Sequence, residues 1–135
     1  MSIVDDALVE AARAVRANAW APFSHFQVGA AVRTRDGRIF AGCNVENATY
    51  GLTVCAERVA IFKALSEGAR PDDFEAVAVV ADTVEPTPPC GACRQILWEF
   101  CGDVPVVLAT PTDVKAVHQL AALLPHPFDG RLLAK

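Results

Sequence analysis

Pro88-Pro89-Cys90-Gly91-Ala92-Cys93-Arg94-Gln95 is the stretch around which the rest of the chain is organised, and it is read together with Cys55-Ala56-Glu57-Arg58. Two thiols separated by two residues, at the start of a helix, point at one metal ion. Cys55 brings a third thiol from an earlier segment, with the carboxylate of Glu57 two residues on. Three thiolates on a tetrahedral Zn²⁺ leave one position free for water, and that free position separates a catalytic zinc from a structural one. In a regular helix, positions two apart diverge. Cys55 and Glu57 therefore share a site only if Cys55 stands at the helix N-terminus, where unpaired N–H groups and the macrodipole favour anions.

The Cys90-x-x-Cys93 spacing alone is also that of a zinc knuckle or a redox pair. A structural zinc would need a fourth ligand, for which Cys43, Cys101, His25, His118 and His126 are candidates by composition. Cys101 lies over two turns beyond Cys93 in the same helix and reads as core, and Cys43 alternates with Asn44 in a strand and faces away from it. A redox pair leaves Cys55 and Glu57 without a role. Zn²⁺ with three thiolates sums to a charge of −1, which disfavours ionising a bound water. Two helix N-termini aimed at the sulfurs, with Arg58 and Arg94 donating to them, would offset it. Glu57, beside the metal but not bound to it, is then placed to move protons between water and substrate.

The chain has 135 residues, 53% of them apolar, enough for one domain spanning residues 1–135 with a full core. A net charge of −4 is the wrong sign for a nucleic-acid surface. No run of about 18 apolar residues is present, so no membrane span is expected. Asp5 and Asp6 stand where a signal peptide carries bases, so the expected location is the cytoplasm. There, five cysteines read as metal ligands or buried thiols rather than disulfides.

Apolar residues at three- and four-residue steps predict a helix over residues 3–19, ended by Pro22. Residues 26–34 and 38–45 read as strands, joined through Asp36-Gly37 as a hairpin. Asn44 and Glu46, two apart, share one side of an extended chain. An amide and a carboxylate so placed can grip a hydroxyl-bearing group, or can be two exposed loop residues. A helix is predicted over 55–67 with Gly68 as its left-handed cap, then a buried strand over 74–81 and a third helix from Cys90 with Ile96, Leu97 and Phe100 inward. A strand over 104–109 and a fourth helix over 114–124 follow. Strand–helix–strand crossovers predict parallel later strands in one mixed sheet, with helices on both faces. Pro125-His126-Pro127-Phe128 is too rich in proline for a helix and leaves Phe128 on a loop.

Cys55-x-Glu57 followed by Pro89-Cys90-x-x-Cys93 is the general signature of zinc deaminases. More closely, the chain resembles the small homotetrameric cytidine deaminases of pyrimidine salvage. The likeness runs through Ala21-Pro22-Phe23-Ser24, Phe26-Gln27-Val28-Gly29-Ala30-Ala31, Gly42-Cys43-Asn44-Val45-Glu46-Asn47-Ala48, both cysteine segments, and Leu123-Leu124-Pro125 with Phe128. The resemblance implies a three-layer α-β-α sandwich around a mixed five-stranded sheet. It implies one zinc per chain on Cys55, Cys90 and Cys93, with Glu57 as proton shuttle and Arg58 supporting the sulfurs. The implied reaction is hydrolysis of cytidine and 2′-deoxycytidine to uridine, 2′-deoxyuridine and ammonia. Asn44 and Glu46 would hold the ribose 3′-hydroxyl, and Phe26 would pack on the nucleoside. Ala48, Tyr50 and Phe128 would complete the pocket from neighbouring subunits of a homotetramer, Phe128 stacking on the base. The chain departs from the family in Val59, where threonine is common, and in a short tail after Phe128.

Three rivals are weighed against this. A deaminase of a cytosine antibiotic such as blasticidin S would keep the zinc and Glu57 but change the sugar contacts, whereas Asn44-x-Glu46 followed by Ala48 looks like the nucleoside type. A polynucleotide-editing deaminase needs a basic groove. A non-catalytic zinc module has no use for Glu57.

Overall fold

A strand that is apolar on both faces belongs in the interior of a sheet, and Phe74–Ala81 (FEAVAVVA) is buried at every position but Glu75. The computed structural model describes residues 6–133. In it this strand is the third of five, in the spatial order β2-β1-β3-β4-β5. The strands are β1 (Val28–Thr34), β2 (Ile39–Cys43), β3 (Phe74–Ala81), β4 (Pro105–Ala109) and β5 (Val114–Gln119), and the helices are α1 (Asp6–Arg16), α2 (Ala56–Ser66), α3 (Gly91–Cys101) and the short α4 (Leu120–Leu123). β1 pairs antiparallel with both β2 and β3, β3 pairs parallel with β4, and β4 pairs antiparallel with β5. The crossover through α3 thus makes the one parallel ladder among the described residues.

Alternation along β3 divides the core into two layers. Val77, Val79 and Ala81 pack with Ala56, Ala60, Ile61 and Leu97 of α2 and α3. Ala76, Ala78 and Val80 pack with Leu8, Val9 and Ala12 of α1. Helices therefore cover both faces, as the three-layer reading expects. Two glycines mark where helices come closest to the sheet. A Cβ on Gly29 would lie 1.9 Å from the Ala12 carbonyl oxygen, and one on Gly42 would lie 2.5 Å from the Ala60 amide nitrogen.

The fourth predicted helix is corrected. Residues 114–119 form an antiparallel edge strand, with Ala109 opposite Val114 and Pro105 opposite Gln119, and only Leu120–Leu123 is helical. The turn explains this: Thr110 N donates to Asp113 O at 2.7 Å, and the Thr110 hydroxyl accepts from Thr112 and Asp113 amides. Pro111 sits inside this turn, and β-branched Val114 and Val117 suit the extended chain that follows. The five-stranded sheet implied by the resemblance is present, although the element-by-element reading counts four strands.

The remaining differences lie at element ends. Ile3 and Val4 of the first predicted helix lie outside the described residues, and the helix stops at Arg16 rather than residue 19. Trp20 is drawn into a bridge with Val45, its amide donating to Asn44 O at 3.0 Å. The first strand starts at Val28, because the Phe26 and Gln27 carbonyls accept from the side chains of Asn44 and Arg16 instead of from a ladder. Gly68 takes the expected left-handed conformation, at φ 106°. Among the described residues no helix is long and apolar enough to cross a membrane.

Candidate active site

Cys55 is the N-cap of α2 and Cys90 the N-cap of α3, both with extended backbone, and Cys93 sits in the first turn of α3. The fold brings the two helix starts together, and the three sulfurs all lie within 4.8 Å of one another. Cys90 Sγ and Cys93 Sγ are 3.5 Å apart. A tetrahedron of Zn–S bonds of ~2.3 Å has edges of ~3.8 Å, so the spacing and the soft sulfur donors both fit zinc. No other cysteine, histidine or carboxylate of the described residues joins this group. Cys101 is core, its thiol pushed up to about 12 by burial.

Arg58, one turn into α2, donates from Nη2 to Cys55 Sγ at 3.2 Å. The Cys55 thiol is drawn down to about 5, first by the hydrogen bond from Cys93 and further by Arg58. Cys93 moves the opposite way, as its hydrogen bond to Cys55 and its burial both favour the thiol. Arg94 does not serve the sulfurs as expected. Its guanidinium donates to the Pro89 carbonyl at 2.7 Å and the Leu123 carbonyl at 2.8 Å. These bonds lock the Cys90 loop to the end of α4.

Glu57 is 5% exposed. Burial, reinforced by the Cys55 charge, pushes its carboxyl up to about 7. A carboxyl poised there both accepts and gives protons near neutrality.

Glu57, Cys55 and Cys90 open into a cavity of about 300 Å³, at the lower end of the range for small-molecule sites. Phe26, Asn44 and Glu46 line it as well. The Val45–Val54 bridge sets Asn44 and Glu46 beside Cys55, and the Trp20–Val45 bridge sets the Phe23–Phe26 loop beside both. Asn44 is buried. Its Oδ1 accepts from Val28 N at 2.8 Å and its Nδ2 donates to Phe26 O at 2.7 Å. Glu46 Oε1 accepts from the amides of Phe23 and Ser24, and its Oε2 accepts from the Ser24 hydroxyl.

The other expected contacts lie apart from this cavity. Tyr50 is 75% exposed and lines a neighbouring hollow, where its ring meets Phe23 edge-on at 5.9 Å. Ala48 is exposed on the same loop. Phe128 is 56% exposed, its carbonyl accepting from Gln95 Nε2 at 2.6 Å. Ser24, Thr53 and Thr87 also line the cavity, and no sequence motif assigns them a chemical role. Ser24 alone had a signal, in the Ala21-Pro22-Phe23-Ser24 segment.

Comparison with known proteins agrees with this geometry. A family model for the cytidine and deoxycytidylate deaminase zinc-binding region matches residues 2–110. A cytidine deaminase of Halalkalibacterium halodurans is 50% identical over 123 residues, covering 90% of this chain and 91% of the relative. The crystal structure of a cytidine deaminase from Burkholderia pseudomallei superposes with a TM-score of 0.88 at 52% identity, covering 95% of this chain and 100% of that one. That of Mycobacterium leprae gives 0.76 at 42% identity, covering 90% and 97%. With its three cysteines and buried glutamate meeting at two helix starts, the chain belongs to the cytidine and deoxycytidylate deaminase family.

Proposed function

We propose that the chain hydrolyses cytidine and 2′-deoxycytidine to uridine and 2′-deoxyuridine, releasing ammonia. The observation that carries this reading is one cavity lined by Cys55, Cys90 and buried Glu57 together with Asn44 and Glu46, with the Cys93 sulfur within 4.8 Å of the other two sulfurs. The sulfur cluster with Glu57 answers to the base of a nucleoside, and Asn44 with Glu46 to its sugar.

Cys55, Cys90 and Cys93 would hold one Zn²⁺, which when bound supplies a Lewis acid that lowers the pKa of water. Glu57 takes a proton from the attacking water and delivers it to the amidine ring nitrogen of the base, then carries the remaining proton of the new C4 hydroxyl to the leaving amino group. The C4–O bond forms, the C4–N bond to the amino group breaks, and ammonia departs with no change of oxidation state. Arg58 draws charge from the Cys55 sulfur. Asn44 and Glu46 orient the sugar, and Phe26 walls the nucleoside.

Phe128, exposed and absent from the lining of its own cavity, supports a homotetramer in which neighbouring subunits supply Phe128, Tyr50 and Ala48 to each pocket. Five unpaired cysteines fit the reducing cytoplasm. The test is to add the purified protein to cytidine and to blasticidin S. Loss of cytosine absorbance with one ammonia released per cytidine is expected. Release from blasticidin S alone would overturn the nucleoside reading.

A further inference from the structure

Glu46 is held in an unusual way for a carboxylate at a ligand site. Among the described residues no lysine or arginine pairs with it. Its hydrogen bonds come from neutral donors of two adjacent residues: Phe23 N at 2.9 Å, Ser24 N at 3.1 Å and the Ser24 hydroxyl. A carboxylate offers roughly four acceptor sites, so about one remains for a donor from the ligand. The Ser24 oxygen also accepts from Phe26 N at 3.0 Å. A single hydroxyl thus joins the carboxylate at the sugar end of the cavity to the backbone of the aromatic that walls it. Between them His25 takes a left-handed conformation, φ 57°, and its amide donates to Ala21 O at 2.9 Å. Positive φ is uncommon outside glycine, though histidine adopts it more often than most residues, and here it turns the chain so that Ser24 and Phe26 can meet. The Ser24 hydroxyl is also the chief cause holding the Glu46 carboxyl below the usual range.

We infer that Ser24 is a positioning residue for sugar recognition: its hydroxyl aims the free acceptor of Glu46 at a ribose hydroxyl and fixes Phe26 beside it. This rests on the reading of Asn44 and Glu46 as the sugar end of a nucleoside site. The test uses the zinc-loaded enzyme, its Ser24→Ala and Ser24→Thr variants, and two substrates, cytidine and 3′-deoxycytidine. Ser24→Ala is expected to raise KM for cytidine about tenfold with kcat close to wild type, as loss of a charged-group hydrogen bond used in binding would. KM for 3′-deoxycytidine is expected to rise less, through Phe26 alone, so the preference for the 3′-hydroxyl shrinks. Ser24→Thr, which keeps the hydroxyl, restores both values. An equal loss for the two substrates, a cytidine KM that does not move, or a Ser24→Ala protein that melts far below wild type would overturn the inference. A wild-type enzyme that releases no ammonia from cytidine would instead overturn the reading on which it rests.

Discussion

Glu57 is the residue on which the chemistry turns. It occupies the second position of α2, two residues from Cys55, and is buried with its carboxyl raised to about 7. A glutamine there keeps the shape and removes the proton carrier. Glu57→Gln is therefore expected to retain one zinc per chain and the native melting temperature while kcat falls by ~10²-fold or more, the scale of a lost general acid–base. Metal analysis beside steady-state kinetics checks this, and near-native turnover would place the proton carrier elsewhere. The two arginines next to the sulfur ligands look equivalent in sequence, yet they differ in the fold. Arg58 lies on the helix turn that returns it to Cys55, whereas Arg94 is held by the Pro89 and Leu123 carbonyls. Sequence adjacency places both near a sulfur. Only the packing of α3 against α4 decides which one reaches it.

At the scale of elements, the zinc site is the meeting of two helix starts, and sheet contacts set where those starts fall. Gly29 and Gly42 provide a matched pair of tests. A Cβ on either would strike helix backbone, Ala12 O in α1 or Ala60 N in α2. Both Gly29→Ala and Gly42→Ala are expected to lower stability by about 1–3 kcal/mol, the usual cost of overpacking. Only Gly42→Ala displaces the helix that carries Cys55 and Glu57, so only it is expected to weaken zinc retention against a competing chelator. Equal zinc retention in the two variants would show that the position of α2 does not govern the site. The sequence made these elements legible where one signal dominated: the apolar run of β3, the Asp36-Gly37 turn, and the Gly68 cap. It hid β5 because that edge strand is exposed along most of its length and shows no alternation. Its turn is closed by Thr110 and Asp113 without a glycine.

For the whole molecule, the metal cluster and Glu57 were legible because fixed spacing within each segment is a local property. The exchange between Ser24, Glu46 and Phe26 was not, because it depends on how the Phe23–Phe26 loop docks against the end of β2. Phe128 belongs to a still larger scale. Gln95 holds its carbonyl and Trp98 Nε1 donates to the adjacent Asp129 at 2.9 Å, which fixes the backbone and leaves the ring outside its own cavity. In the shared pocket proposed above, that ring would stack on the base bound by a neighbour, worth ~1–3 kcal/mol. Phe128→Ala is expected to raise KM for cytidine by ~5- to 150-fold with zinc content unchanged. An unchanged KM would remove Phe128 from the pocket. The central claim, that three cysteines build a catalytic metal centre for deamination of cytidine, is tested most directly by titration. Zinc is removed by chelation and returned in measured amounts while ammonia release from cytidine is followed. Activity is expected to be lost with the metal, to rise linearly as zinc returns, and to level off at one equivalent per chain. Deamination that persists in the zinc-free protein, or a plateau away from one equivalent, would contradict it.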